Sequence, residues 1–241
     1  GEGVDIIWRG RRFVDVSQHG YRDMQKTLHY IHIGKCGGRS VDAAIRQSPV
    51  IQRDFQVVKK THIQRPKNNR GDTYLIVVRN PVRRALSAFN WWFKLVVGTG
   101  EQKNRFPFEY DVLTKYRTLE SLVCQLYTGD KVEPEVASDF RSVHHLYEDI
   151  SFYLYEFLSE VHPSQIAFVL CQEALEDDLR RFLHVTDVEK KNINTKNPTE
   201  DNLSDVARQN LKRFLAKDYM CLTYLYCLGS IDNERFRALM Y

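Results

Sequence analysis

The sequence contains no apolar run that approaches the roughly eighteen residues of a membrane span. Its first dozen residues lack the apolar core of a secretory signal. Five cysteines, Cys36, Cys124, Cys171, Cys221 and Cys227, form no CxxC pair and are odd in number. That argues against a zinc module or a disulfide framework and fits a reducing compartment. Low-complexity tracts and internal repeats are missing, so solenoid and fibrous classes drop out. Charge of neither sign dominates: the net charge of +4 favours anionic ligands without requiring nucleic acid. What remains, at 241 residues with 43% hydrophobic content, is a globular chain long enough for one sizeable domain over 1–241.

Strand-like and helix-like segments alternate along it. Residues 28–33 form a β-rich run that ends at Gly34, and 40–47 read as a helix. A short strand is expected at 56–58 and a buried parallel strand at 73–78. Asn80 is a good N-cap and Pro81 suits the first helical position, with an apolar stripe after them. Residues 97–114 mix Gly, Pro and charge and read as an irregular insertion. A helix is expected over 143–161, a strand over 166–171 and a helix over 173–184. A polar segment, 185–202, leads to a helical region at 203–226. Residues 1–27 stand as an extension before the first strand. This order predicts an α/β fold, a central, largely parallel sheet flanked by helices, with ligands at the carboxyl ends of its strands.

Two strand-to-helix crossings carry phosphate-binding chemistry. In the first, Gly34, Lys35, Cys36, Gly37, Gly38, Arg39 and Ser40 follow a strand. Glycines there let backbone N–H groups close around an anion, and the helix N-terminus adds partial positive charge. A tight turn with a surface lysine is the plain alternative. The P-loop of ATP- and GTP-using enzymes needs Gly five residues before its Gly-Lys pair and Ser or Thr after the Lys; His29 and Cys36 stand there instead. The hydroxyl that would hold magnesium is missing. In the second crossing Arg79 ends a strand, where its guanidinium fork can grip a phosphate, and Arg84 and Ser87 share a helix face.

Together these segments resemble the carbohydrate sulfotransferases. Residues 31–40 are similar to that family's 5′-phosphosulfate loop, His-Ile-Pro-Lys-Thr-Gly-Gly-Thr-Ser, and residues 79–89 to its 3′-phosphate motif, Arg-x-Pro-x-x-Arg-x-x-Ser-x-Tyr. The branch closest in appearance contains heparan sulfate 2-O-sulfotransferase. Gly34, Cys36, Arg39 and Phe89 depart from the pattern, whereas Lys35, Ser40, Arg79 and Ser87 keep it. The resemblance implies a P-loop-like sulfotransferase fold. It also implies the donor 3′-phosphoadenosine 5′-phosphosulfate (PAPS), leaving 3′-phosphoadenosine 5′-phosphate (PAP), with no metal required. The implied donor site comprises Lys35, Cys36, Gly37, Gly38, Arg39, Ser40, Arg79, Ser87 and Lys196. The partner would be a hydroxylated acceptor, a saccharide and an anionic one, with neither nucleic acid nor a membrane span. A cytoplasmic location in a bacterium and the Golgi-lumen domain of a longer eukaryotic protein both fit.

Lys35 suits the leaving-group role, because its charge lies where negative charge grows. His62 is the expected base: it falls between the two crossings, where the resemblance places a catalytic histidine, and an imidazole can accept a hydroxyl proton near neutral pH. Glu173 is the fallback. Lys59, Lys60, Arg65, Lys67 and Arg70 lie in a stretch without acids that would attract an anionic acceptor. One of the pair Trp91 and Trp92 is expected to leave the core and line the acceptor cleft. A kinase-like phosphotransferase using ATP and a noncatalytic polyanion binder are the competing readings.

Overall fold

The computed structural model describes residues 4–10, 26–187 and 202–241. Its centre is a five-stranded sheet in the order β1 (Val4–Arg9), β3 (Val57–His62), β2 (Thr27–His32), β4 (Thr73–Val78) and β7 (Ile166–Cys171). All neighbours run parallel except β1, which pairs antiparallel with β3 at one edge. Residues Tyr74 to Val78 are wholly buried, as a parallel strand covered on both faces requires. Helices α1 (Gly38–Gln47) and α2 (Pro49–Asp54) carry the chain from β2 to β3; α3 (Pro81–Phe93) follows β4, and a separate two-stranded pair, β5 (Tyr127–Thr128) and β6 (Lys131–Val132), lies between α5 (Leu119–Cys124) and α6 (Pro134–Ser142).

Strands β2 and β4 are neighbours whose onward connections leave in opposite directions, β2 toward β3 and β4 toward β7. Such a switch point opens a crevice at the carboxyl ends of the strands. The glycine loop after β2 and Arg79 after β4 both open there. The start of α3 is fixed locally: Asn80 Oδ1 accepts from the N–H groups of Val82 and Arg83 at 3.1 and 3.2 Å, with Pro81 next. Asn80 Nδ2 also donates to Ala238 O at 3.0 Å, tying the cap to α11 (Asn233–Met240).

Several expected boundaries move. The extension before residue 27 contributes β1, which extends the sheet beyond β3. The strand expected at 56–58 spans Val57–His62, with the consecutive Lys59 and Lys60 half-buried on opposite faces. The supposed insertion at 97–114 holds the end of a π-helical turn, Lys94–Gly98, and most of a true helix, α4 (Pro107–Tyr116), whose proline sits in its first turn. Residues 143–149 are a turn rather than helix; Asp149 caps α7 (Ile150–Glu160) by accepting from Phe152 N at 2.8 Å. The helical region at 203–226 consists of two helices, α9 (Asp205–Phe214) and α10 (Ala216–Cys227), divided at Leu215. The region after β7 opens with a short 3-10 turn, Gln172–Ala174, before α8 (Leu175–Leu183).

Two carboxylates are buried where α7 meets α10. Asp218 Oδ1 accepts from Ser151 N, and Asp149 Oδ1 accepts from Ser151 Oγ, both at 2.8 Å. Burial and then the Asp149 charge push the Asp218 carboxyl up to about 8. A raised carboxyl stabilises the fold fully below its unfolded pKa and loses that contribution as pH climbs through the folded value. Asp218→Asn should therefore match wild type near pH 4 and become relatively more stable toward pH 8. The difference should widen by up to about 1.4 kcal/mol per pH unit. Urea midpoints across that range measure it; an unchanging difference would contradict the assignment.

Candidate active site

The loop from β2 into α1 uses glycine for three separate reasons. Gly37 caps α1 at φ 85°, a left-handed backbone that side chains disfavour. A Cβ on Gly38 would lie 1.8 Å from His32 Nε2, and one on Gly34 would lie 2.3 Å from His145 Nδ1. Proline therefore cannot stand at 34 while the His145 ring is seated against it. Lys35 is also left-handed, at φ 67°. Among the described residues no side chain caps the N-terminus of α1, so its first N–H groups are left for other acceptors.

Arg84 holds this loop from below. Its side chain is 2% exposed, with Nε donating to Gly34 O and Nη2 to His145 O, both at 2.9 Å. Nη2 also donates to Glu148 O. One guanidinium thus registers the glycine loop and the 143–149 turn against α3. Arg79, at the end of β4, donates from Nη1 to Lys35 O at 3.1 Å.

A cleft of about 380 Å³ opens above these groups. It is lined by Lys35, Gly37, Gly38 and Arg39 from the first crossing and by Arg79 and Ser87 from the second, with His62 beside them. Cys36 and Ser40 are buried and do not line it. Burial pushes the Cys36 thiol up to about 12, so it stays protonated. Lys196 lies outside the described residues, as does most of the 185–202 segment. Glu173 lies away from the cleft. Its Oε1 accepts from Asn80 N at 2.8 Å, and burial raises its carboxyl.

His62 ends β3 with its Nδ1 3.0 Å from His32 O. A carbonyl can only accept, so Nδ1 carries the hydrogen and Nε2 keeps its lone pair. The ring stacks on His32, with centroids 4.1 Å apart and planes 16° apart. Burial lowers the His62 pKa below the ordinary histidine value, and it lowers that of His32 to about 3. His145, pushed further down by burial, His144 and Arg84, is neutral as well. Lys35 is lowered to about 8, first by burial and then by Arg79, Arg84 and Arg39. Neutral imidazoles beside crowded cations make an environment that favours an anion.

His144, His145 and Glu148 bring potential metal-ligand atoms within 4.8 Å of one another. The Glu148 oxygens already serve the turn: Oε2 accepts from His145 N at 2.8 Å, and Oε1 lies 3.5 Å from His144 Nδ1. With Arg84 and Lys35 adjacent, this cluster fits a staple of the turn better than a cation site.

Two contributors escaped sequence reasoning. Arg84 shares a helix face with Ser87, and its position among Val82, Ala85, Leu86 and Ala88 on α3 is the signal of its burial. His145 was hidden in an apparently helical run, and its left-handed backbone at φ 65° left no sequence signal. Trp91, 39% exposed, does line the cleft, whereas Trp92 is 1% exposed and belongs to the core. Of the basic stretch at 59–70, Lys60 pairs with Asp42 at 2.7 Å and Arg65 with Glu156 at 3.1 Å, so neither is an unpaired cation.

Comparison of the chain with family models, with curated proteins and with solved structures returns no match.

Lysine cannot reproduce the fork of Arg84. Arg84→Lys should lower stability by about 2–4 kcal/mol, the scale for losing charge-assisted bonds to buried carbonyls. The His62 and His145 ring resonances should shift together. A variant with near-native stability and unmoved rings would show that the fork does not hold the site.

Proposed function

We propose that the chain is a sulfotransferase that moves a sulfuryl group from PAPS to an acceptor hydroxyl, with a saccharide as the first acceptor to test. One observation carries the reading: both phosphate-type crossings, separated by 44 residues at Lys35 and Arg79, open into one cleft beside a histidine whose Nε2 keeps its lone pair. The residues fit a donor with two phosphate groups. Gly37, Gly38 and the uncapped start of α1 suit the 5′ end, and Arg79 with Ser87 suits a 3′-phosphate.

When bound, the donor supplies an activated sulfuryl group on a phosphate leaving group. The chain's own part is proton handling and charge. His62 Nε2 removes the acceptor proton as the hydroxyl oxygen bonds to sulfur, and the bond from sulfur to the bridging phosphate oxygen breaks. Lys35, as ammonium, stabilises the charge on that departing oxygen. The proton on His62 then leaves to water. Products are the sulfated acceptor and PAP.

The reading requires PAP to bind more tightly than AMP or ADP, with magnesium chelation leaving binding unchanged. Calorimetry tests this directly. Equal affinities would remove the 3′-phosphate site, and a strict magnesium requirement would favour a phosphotransferase. Salt-sensitive binding of polyanions without any nucleotide preference would favour a noncatalytic binder.

The pH dependence is specific. Neutral His62 is the active form and its pKa is lowered, so turnover should fall only as pH drops below the ordinary histidine range. In kcat/KM, which reports the free protein, an alkaline limb near 8 should mark loss of the Lys35 charge. His62→Ala should reduce turnover by about a hundredfold or more and abolish the acidic limb, with PAP affinity preserved. An acidic limb that survives in this variant would assign the base elsewhere.

A further inference from the structure

Helix α3 turns Arg84, Ser87 and Trp91 to the same side, at positions i, i+3 and i+7. Arg84 holds the backbone of the glycine loop, and Trp91 reaches its side chain: Lys35 Nζ lies 4.7 Å from the centroid of the Trp91 ring. That is within the range at which an ammonium is attracted to an indole face. The ring is itself fixed, stacked on Trp92 at 5.4 Å and tilted against His145 at 5.7 Å.

Among the described residues the Lys35 ammonium is otherwise poorly supported. Arg79 from the end of β4, Arg84 from α3 and Arg39 from α1 all repel it; Cys36 is protonated, and His145 from the 143–149 turn is neutral. The negative π face of the indole is the attractive surface among these neighbours. We propose that Trp91 is a positioning residue for Lys35, holding its ammonium at the cleft and keeping it charged against three guanidinium groups. The purpose of that charge rests on the sulfuryl-transfer reading; the coupling between the two side chains does not.

The coupling can be measured on the protein alone, from the pH dependence of Lys35 acetylation by acetic anhydride, followed by peptide mass spectrometry. Replacing the ring in Trp91→Leu should lower the inflection by about half a pH unit or more, the scale of one partly desolvated cation–π contact. Trp91→Phe, with a smaller π face, should fall between Trp91→Leu and wild type. Trp91 is substantially exposed, and thermal midpoints should stay close to wild type in both variants. Identical inflections in wild type and both variants, or an upward shift in Trp91→Leu, would overturn the proposal. Given turnover, the alkaline limb of Trp91→Leu should move to lower pH in parallel. Wild type without sulfuryl transfer would defeat the functional reading and leave the labelling result to decide the coupling.

Discussion

The arrangement of this molecule depends on one buried cation. Arg84 accepts confinement inside the protein because three main-chain carbonyls, of Gly34, His145 and Glu148, receive its N–H groups. Carbonyl dipoles replace the water that a buried guanidinium loses, and its rigid planar geometry transmits their positions to one another. The glycine loop, the helix after β4 and the turn before α7 come from distant parts of the chain. Arg84 fixes how they meet, and the cleft is the space that remains between them.

Glycine and histidine divide that space. His32 occupies the room a Gly38 side chain would need, and His145 the room of a Gly34 side chain. The same rings keep the wall neutral: desolvation prevents them from adding to the charge of Lys35, Arg39 and Arg79. His62 differs from its neighbours in having its Nδ1 hydrogen committed to a carbonyl, which defines the nitrogen able to accept a proton. A cleft built this way concentrates positive charge at its base and places a neutral proton acceptor at its side.

Much of this was legible in the sequence because it is local. The runs at 73–78 and 166–171 match β4 and β7 to the residue, since strands buried over most of β4 and over the second half of β7 read as continuous apolar runs. Asn80 and Pro81 start α3 where cap chemistry places them. The glycine loop, Arg79, Ser87 and His62 also share one cleft, as the spacing of strand ends in a parallel sheet leads one to expect. The elements that escaped depend on tertiary context. Residues 143–149 have a helical pattern but are drawn into a turn by Asp149 capping α7 and by Arg84 taking two of their carbonyls. β1 is specified by its partner β3 rather than by its own short run. Cys36 and Ser40 belong to the motif by position yet turn into the protein, Cys36 from the loop and Ser40 from the buried face of α1.

The central claim is that the two crossings form one site for a nucleotide with phosphates at both its 3′ and 5′ ends. A crystal structure with PAP bound tests it most directly. The account predicts the 5′-phosphate against the backbone N–H groups at the start of α1 with Lys35 alongside, and the 3′-phosphate against Arg79 and Ser87. His62 Nε2 should face the open side of the 5′-phosphate. A nucleotide that engages only one crossing, or leaves the cleft empty and binds elsewhere, would contradict it.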